Sequence, residues 1–139
     1  MAKRGLAVLQ RVPLFEGLSS RQLRHVADLS EEARFMEGAT IVKEGDPGDS
    51  FYVILEGQAK VLRGGRTINR LIPGDFFGEI SLLDGGERSA SVVSETPMVL
   101  MELKQRKFFK MLNQEPGLSL KMMERLAQRL RELERPLAG

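Results

Sequence analysis

Residues 76–91, FFGEISLLDGGERSAS, hold Glu79 and Arg88 nine positions apart among mostly apolar and small residues. Either charge is costly to bury unless something pairs with it. Gly78, just before Glu79, lets the chain turn sharply, and EISLL is long enough for one helical turn whose free N–H groups attract an anion. If Arg88 returns across the DGGE bend, its guanidinium can grip two phosphate oxygens while Glu79 accepts a hydrogen bond from a hydroxyl. Ser89 and Ala90 are small enough for backbone to approach the anion, and the Ser89 hydroxyl adds a donor. A sugar phosphate fits this set. The competing reading is structural: Glu79 and Arg88 pair with each other or with backbone and hold a loop closed.

Composition narrows the chemistry. A chain of 139 residues, 42% hydrophobic, is expected to form one domain over 1–139 with its own core. The absence of cysteine removes disulfides, thiol nucleophiles and cysteine-ligated zinc, and suits a cytoplasmic protein. The lone histidine, His25, leaves no basis for His-dependent triads or multi-histidine metal sites, and Asp46, Asp49 and Asp75 lack calcium-loop spacing. No metal or cofactor is therefore expected. The net charge of +2 does not by itself point to nucleic acid. GLAVL near the N-terminus is too short for a secretory signal, and no segment is long enough to cross a bilayer.

The elements that must position the two charges are marked by changes of hydrophobic period. After Pro13 the spacing predicts a helix capped by Ser19 and Gln22, with Leu23, Val26 and Ala27 on its inner face and His25 as an ordinary helical residue. From about 34 to 103, short β-rich runs separated by Gly, Pro and Asp predict roughly eight strands, with Gly64-Gly65 as a two-residue hairpin turn. From about 104 to 135 helical spacing returns. A short amphipathic helix precedes a longer one with Met122, Leu126, Leu130 and Leu133 on one stripe, and Pro136 is expected to end it. Lys104, Arg106, Lys107 and Lys110 read as a solvated face. The fold class is mainly β with flanking helices.

PGDFFGEISLLDGGERSASV closely resembles the phosphate-binding cassette of cyclic-nucleotide-binding domains, the catabolite activator and protein kinase A regulatory type. IVKEGDPGDSFYVILEGQAKV extends the resemblance, which covers about residues 13 to 135. It implies a jelly-roll-like β-barrel with an N-terminal helix and C-terminal helices. It also implies that Glu79 binds a ribose 2′-hydroxyl, that Arg88 pairs with a cyclic phosphate, and that Gly78, Ile80, Ser81, Ser89 and Ala90 surround them. Val61 and Ile68 are expected beside the sugar and base, with Leu133 on a final helix that caps the base and moves on binding. Glu87 stands where the kinase form has proline, which implies a less rigid bend, and Leu133 and Glu134 stand where the catabolite activator form has hydroxyl residues, which leaves the purine poorly specified.

The ligand implied is cAMP, with cGMP the other candidate, and the role implied is a regulatory sensor rather than an enzyme. A protein partner or fused effector domain would read the signal, and a homodimer through the last helix is the further partner. The competing readings are a nucleotide-free protein–protein adaptor with the same fold, or a regulatory fragment of a larger channel, kinase or transcription regulator. Direct DNA binding by this chain is not expected, because only three residues follow Pro136.

Overall fold

The run SFYVIL in strand β3 (Ser50–Glu56) is buried from Ser50 through Ile54, because both faces of the strand are covered. Phe51 and Val53 face a helical layer, while Tyr52 and Ile54 face the interior between two sheets. The computed structural model describes residues 4–138. Its other strands are β1 (Glu31–Phe35), β2 (Thr40–Val42), β4 (Ala59–Arg63), β5 (Arg66–Leu71), β6 (Phe76–Phe77), β7 (Ser91–Ser94) and β8 (Met98–Lys104). They form two four-stranded antiparallel sheets, ordered β1-β8-β3-β6 and β2-β7-β4-β5. This is the expected mainly β, jelly-roll-like arrangement with helices at both ends. The first strand begins at Glu31, three residues before the expected start, because its exposed Glu31 and Glu32 carry no apolar signal.

The interior between the sheets contains Tyr52, Ile54, Ala59, Leu71, Val92, Met98 and Leu100. A second core lies outside the first sheet, where Phe51, Val53, Met101 and Leu103 meet the helices. GLAVL folds into a short helix, α1 (Leu6–Leu9), whose Val8 and Leu9 join that core. A 3-10 turn over Pro13–Phe15 places Phe15 edge-on against Phe51 and Phe108, at centroid distances of 5.6 and 5.7 Å. Helix α2 (Ser20–Leu29) has the expected capping box, with Ser19 Oγ accepting from Gln22 N–H and Gln22 Oε1 accepting from Ser19 N–H. At the hairpin, Gly64 (φ 58°) and Gly65 (φ 79°) are both left-handed, which the tight turn between β4 and β5 requires.

After β8 come α4 (Gln105–Gln114) and α5 (Pro116–Ala138). The first half of α5 is packed: Leu118 and Met122 are buried, Leu126 lies against the same core, and Arg129 Nη2 is 3.6 Å from Glu16 Oε2. The second half is not, with Leu130 and Leu133 exposed by 61% and 74%. The helix also runs through Pro136 rather than ending there. A proline this near a helix end removes only one backbone bond, and the freed Glu132 carbonyl lies in an exposed part of the helix where water can bond it.

Candidate functional site

The cassette begins where β6 ends. Gly78 caps α3 (Glu79–Asp84) at φ 88°, and the first intrahelical bond, Leu82 N–H to Gly78 O, leaves the N–H groups of residues 79–81 ahead of the ladder. The glycine is required sterically as well as conformationally. A Cβ there would lie 2.6 Å from Ser50 O and 2.7 Å from Arg88 Nη1. Gly85 ends the helix in the left-handed region, and its N–H bonds Ser81 O at 2.8 Å. The chain then returns along the 45–48 loop: Gly48 N–H bonds Gly86 O at 3.0 Å, Arg88 N–H bonds Asp46 O at 2.9 Å, and Gly45 N–H bonds Arg88 O at 2.9 Å. These bonds carry Arg88 back beside the start of α3.

A cavity of about 470 Å³ opens between these segments. Gly78, Glu79, Ile80, Ser81, Arg88, Ser89, Ala90 and Val61, all expected site residues, line it. Two expected residues do not. Ile68 is the extra residue between Thr67 and Asn69, which pair with Leu62 and Val61, so it sits in a bulge and is 50% exposed. Leu133 lies in the unpacked half of α5, and among the described residues none from α5 lines the cavity. The apolar wall that the sequence reading missed comes from Val42, Leu71, Phe76, Phe77 and Val92. Inward alternation on β2, β4 and β7 was the available signal.

The two charges are not paired with each other. Glu79 Oε2 accepts from Leu14 N–H at 3.2 Å, tying the N-terminal 3-10 turn to the cavity wall. Arg88 is only 8% exposed, and its Nη2 donates to Ser50 O at 3.0 Å. Among the described residues no carboxylate lies within 4.0 Å of its guanidinium. Burial pulls the Arg88 pKa below its usual value, opposed by the more distant charges of Tyr52, Asp49 and Glu102. The cavity thus has a buried cation without a close counter-charge, beside a helix start and a carboxylate, which is the electrostatic arrangement of an anion site.

Residues 32–115 match the family of the cyclic nucleotide-binding domain. The chain belongs to that family. It is 37% identical over 112 residues to a cAMP-dependent protein kinase regulatory subunit from Colletotrichum orbiculare, covering 79% of this chain and 29% of that one. The chain therefore spans less than a third of that relative's length. It is 33% identical to the N-terminal domain of a transcriptional regulator from Streptomyces coelicolor A3(2), with a TM-score of 0.82 over 92% of this chain and 95% of that one. The catabolite activator protein of Thermus thermophilus is also 33% identical, with a TM-score of 0.67 over 91% of this chain and 62% of that one. Among the described residues, no helix is long and apolar enough to cross a membrane.

Behind Arg88, the domain buries a hydroxyl network. Glu102 Oε2 accepts from Ser50 Oγ at 2.8 Å and from Tyr52 Oη at 3.1 Å, and the Tyr52 ring stacks on Phe77 at 4.9 Å. Burial first, then the charge and hydrogen bond of Glu102, push the Tyr52 phenol up to about 12. The raised value means that folding favours the neutral phenol. Its contribution is fully present below the ordinary tyrosine value of 10.0 and is lost as pH rises toward about 12. Over that window the wild type is expected to lose roughly 2 kcal/mol more stability than Tyr52→Phe. Denaturant unfolding of both proteins across the window checks this; parallel curves would show that Tyr52 is not the source.

Proposed function

We propose that this domain binds a 3′,5′-cyclic purine nucleotide, cAMP in preference to cGMP, and acts as a cytoplasmic regulatory sensor rather than a catalyst. The observation that carries the proposal is the buried Arg88 guanidinium, held by one backbone carbonyl and bordering a cavity at the start of α3. A singly charged cyclic phosphate supplies the missing counter-charge and accepts from both the guanidinium and the N–H groups of residues 79–81. Glu79, with Oε2 engaged by Leu14, can offer Oε1 to the ribose 2′-hydroxyl. Val61, Leu71 and Val92 give the sugar and base an apolar wall.

The ribose contact has its own test. Wild-type protein is expected to bind 2′-deoxy-cAMP about 1–2 kcal/mol more weakly than cAMP, and Glu79→Ala should erase most of that difference, because one hydrogen bond is being removed twice. Calorimetric titration of both proteins with both ligands completes the cycle. Additive losses would show that Glu79 does not meet the ribose.

The C-terminal half of α5 is the transmitting element in this reading. Its exposed Leu130 and Leu133 continue the stripe that Met122 and Leu126 begin, and a purine in the cavity mouth would offer them apolar area only when the helix swings over. Such differential contact is what allows a ligand to shift a two-state equilibrium. Hydrogen exchange is expected to slow across residues 117 to 135 when cAMP saturates the domain. Unchanged exchange there, with protection at residues 78 to 90, would reject the moving helix and leave the cassette standing. The same exposed stripe suits a homodimer seam, in which case the exchange change depends on protein concentration. A protein partner or a fused effector domain reads the motion.

A further inference from the structure

Arg88 borders two cavities. Besides the ligand cavity, a second one of about 600 Å³ lies on its other side, lined by Asp49, Ser50, Tyr52, Glu102 and Lys104 among others. Packing alone therefore does not hold the guanidinium forward. Gly48 makes room for its present position, because a Cβ there would lie 2.0 Å from Arg88 Nε, so the guanidinium packs directly onto the bare backbone. What does restrain it is the Ser50 carbonyl, which accepts from Arg88 Nη2 at 3.0 Å.

Ser50 is itself fixed. Its hydroxyl and that of Tyr52 both donate to Glu102 Oε2, and the register of β3 and β8 sets Tyr52 directly opposite Glu102. Ser50 and Tyr52 are buried while Glu102 is half-buried at the edge of the second cavity, so the two hydroxyls lose their partner at a cost if the carboxylate is removed. Tyr52 also stacks on Phe77, the residue before Gly78 and part of the ligand cavity wall.

We infer that Glu102 is a positioning residue for the phosphate-binding arginine: through Ser50 and Tyr52 it holds Arg88 toward the ligand cavity and away from the second one. The inference rests on the reading of the first cavity as a cyclic-nucleotide site. Glu102 does not touch the ligand, and its role is to fix the carbonyl that orients the guanidinium.

The sign of the effect separates this role from simpler ones. If only charge mattered, Glu102→Gln would remove a carboxylate from behind the guanidinium, leave the site more positive and tighten phosphate binding. If Glu102 were merely structural, the variant would melt earlier and bind as before. Positioning instead calls for weaker binding, by up to about tenfold in Kd, since the charge-assisted bonds from Ser50 and Tyr52 become weaker neutral ones. Tyr52→Phe, which changes no charge and keeps the ring stack, should weaken binding several-fold, and the double variant should be no weaker than Glu102→Gln alone.

The experiment is calorimetric titration of the full chain and these three variants with cAMP. Alongside it, tyrosinate absorbance is followed against pH in the wild type and Glu102→Gln, where Tyr52, the chain's one tyrosine, is the sole reporter. The expected result is weakened binding together with a Tyr52 titration moved downward in Glu102→Gln. Equal or tighter binding in Glu102→Gln and Tyr52→Phe, or a Tyr52 titration unmoved by Glu102→Gln, overturns the positioning role while leaving the nucleotide site intact. Failure of the wild type to bind any cyclic nucleotide overturns both.

Discussion

Arg88→Ala is expected to weaken cAMP binding by about 2–5 kcal/mol, the largest loss from any single side chain in this domain. Two costs combine in that figure. The guanidinium supplies the cavity's positive charge from a site only 8% exposed, so its interaction with phosphate is poorly screened by solvent. Its removal also leaves the phosphate desolvated against an apolar wall with only backbone N–H groups and the Ser89 hydroxyl as partners. The free protein should tolerate the change better than the complex does. Arg88 has no close carboxylate partner, and its buried charge already works against its pKa. Calorimetry measures the affinity, and thermal unfolding without ligand measures the stability. Near-wild-type affinity in Arg88→Ala would remove the phosphate assignment.

Gly78→Ala is expected to destabilise the free domain by about 2–5 kcal/mol and to abolish measurable binding, combining a left-handed backbone penalty with an overpacked contact. The added methyl would meet the Ser50 carbonyl at 2.6 Å and Arg88 Nη1 at 2.7 Å, the two atoms' groups that fix the guanidinium. The first neighbour is backbone in the buried strand β3 and cannot retreat cheaply. Gly64→Ala is the matched control. Its φ of 58° is also left-handed, yet nothing lies within 4 Å of its missing Cβ, so only the backbone penalty should appear. Equal losses in the two variants would mean that crowding around Arg88 contributes nothing.

The parts of the site that were legible in the sequence are those encoded by local chemistry. A glycine before a glutamate, and an arginine among small residues beyond a Gly-Gly bend, are informative as residue types whatever the rest of the chain does. The Ser19–Gln22 cap and the Gly64-Gly65 hairpin were legible for the same reason. The exposed position of Ile68 was not legible, because a bulge adds one residue to a strand without disturbing its composition, and that is enough to redirect a side chain. Glu102 and Ser50 are 52 positions apart, so no window along the chain brings them together, and only the β3–β8 register reveals their hydrogen bond. The α5 stripe was legible as an apolar face, but a face does not say where its partner stops. Met122 found the core and Leu133 did not.

The central claim is that the cavity between α3 and Arg88 is a cyclic-nucleotide site, and the most direct test is calorimetric titration of the wild-type chain with cAMP and with cGMP. Saturable binding of cAMP, weaker binding of cGMP, and loss of both in Arg88→Ala are the predicted results. The absence of saturable binding with either nucleotide, in a chain shown to be folded by its unfolding transition, would contradict the account.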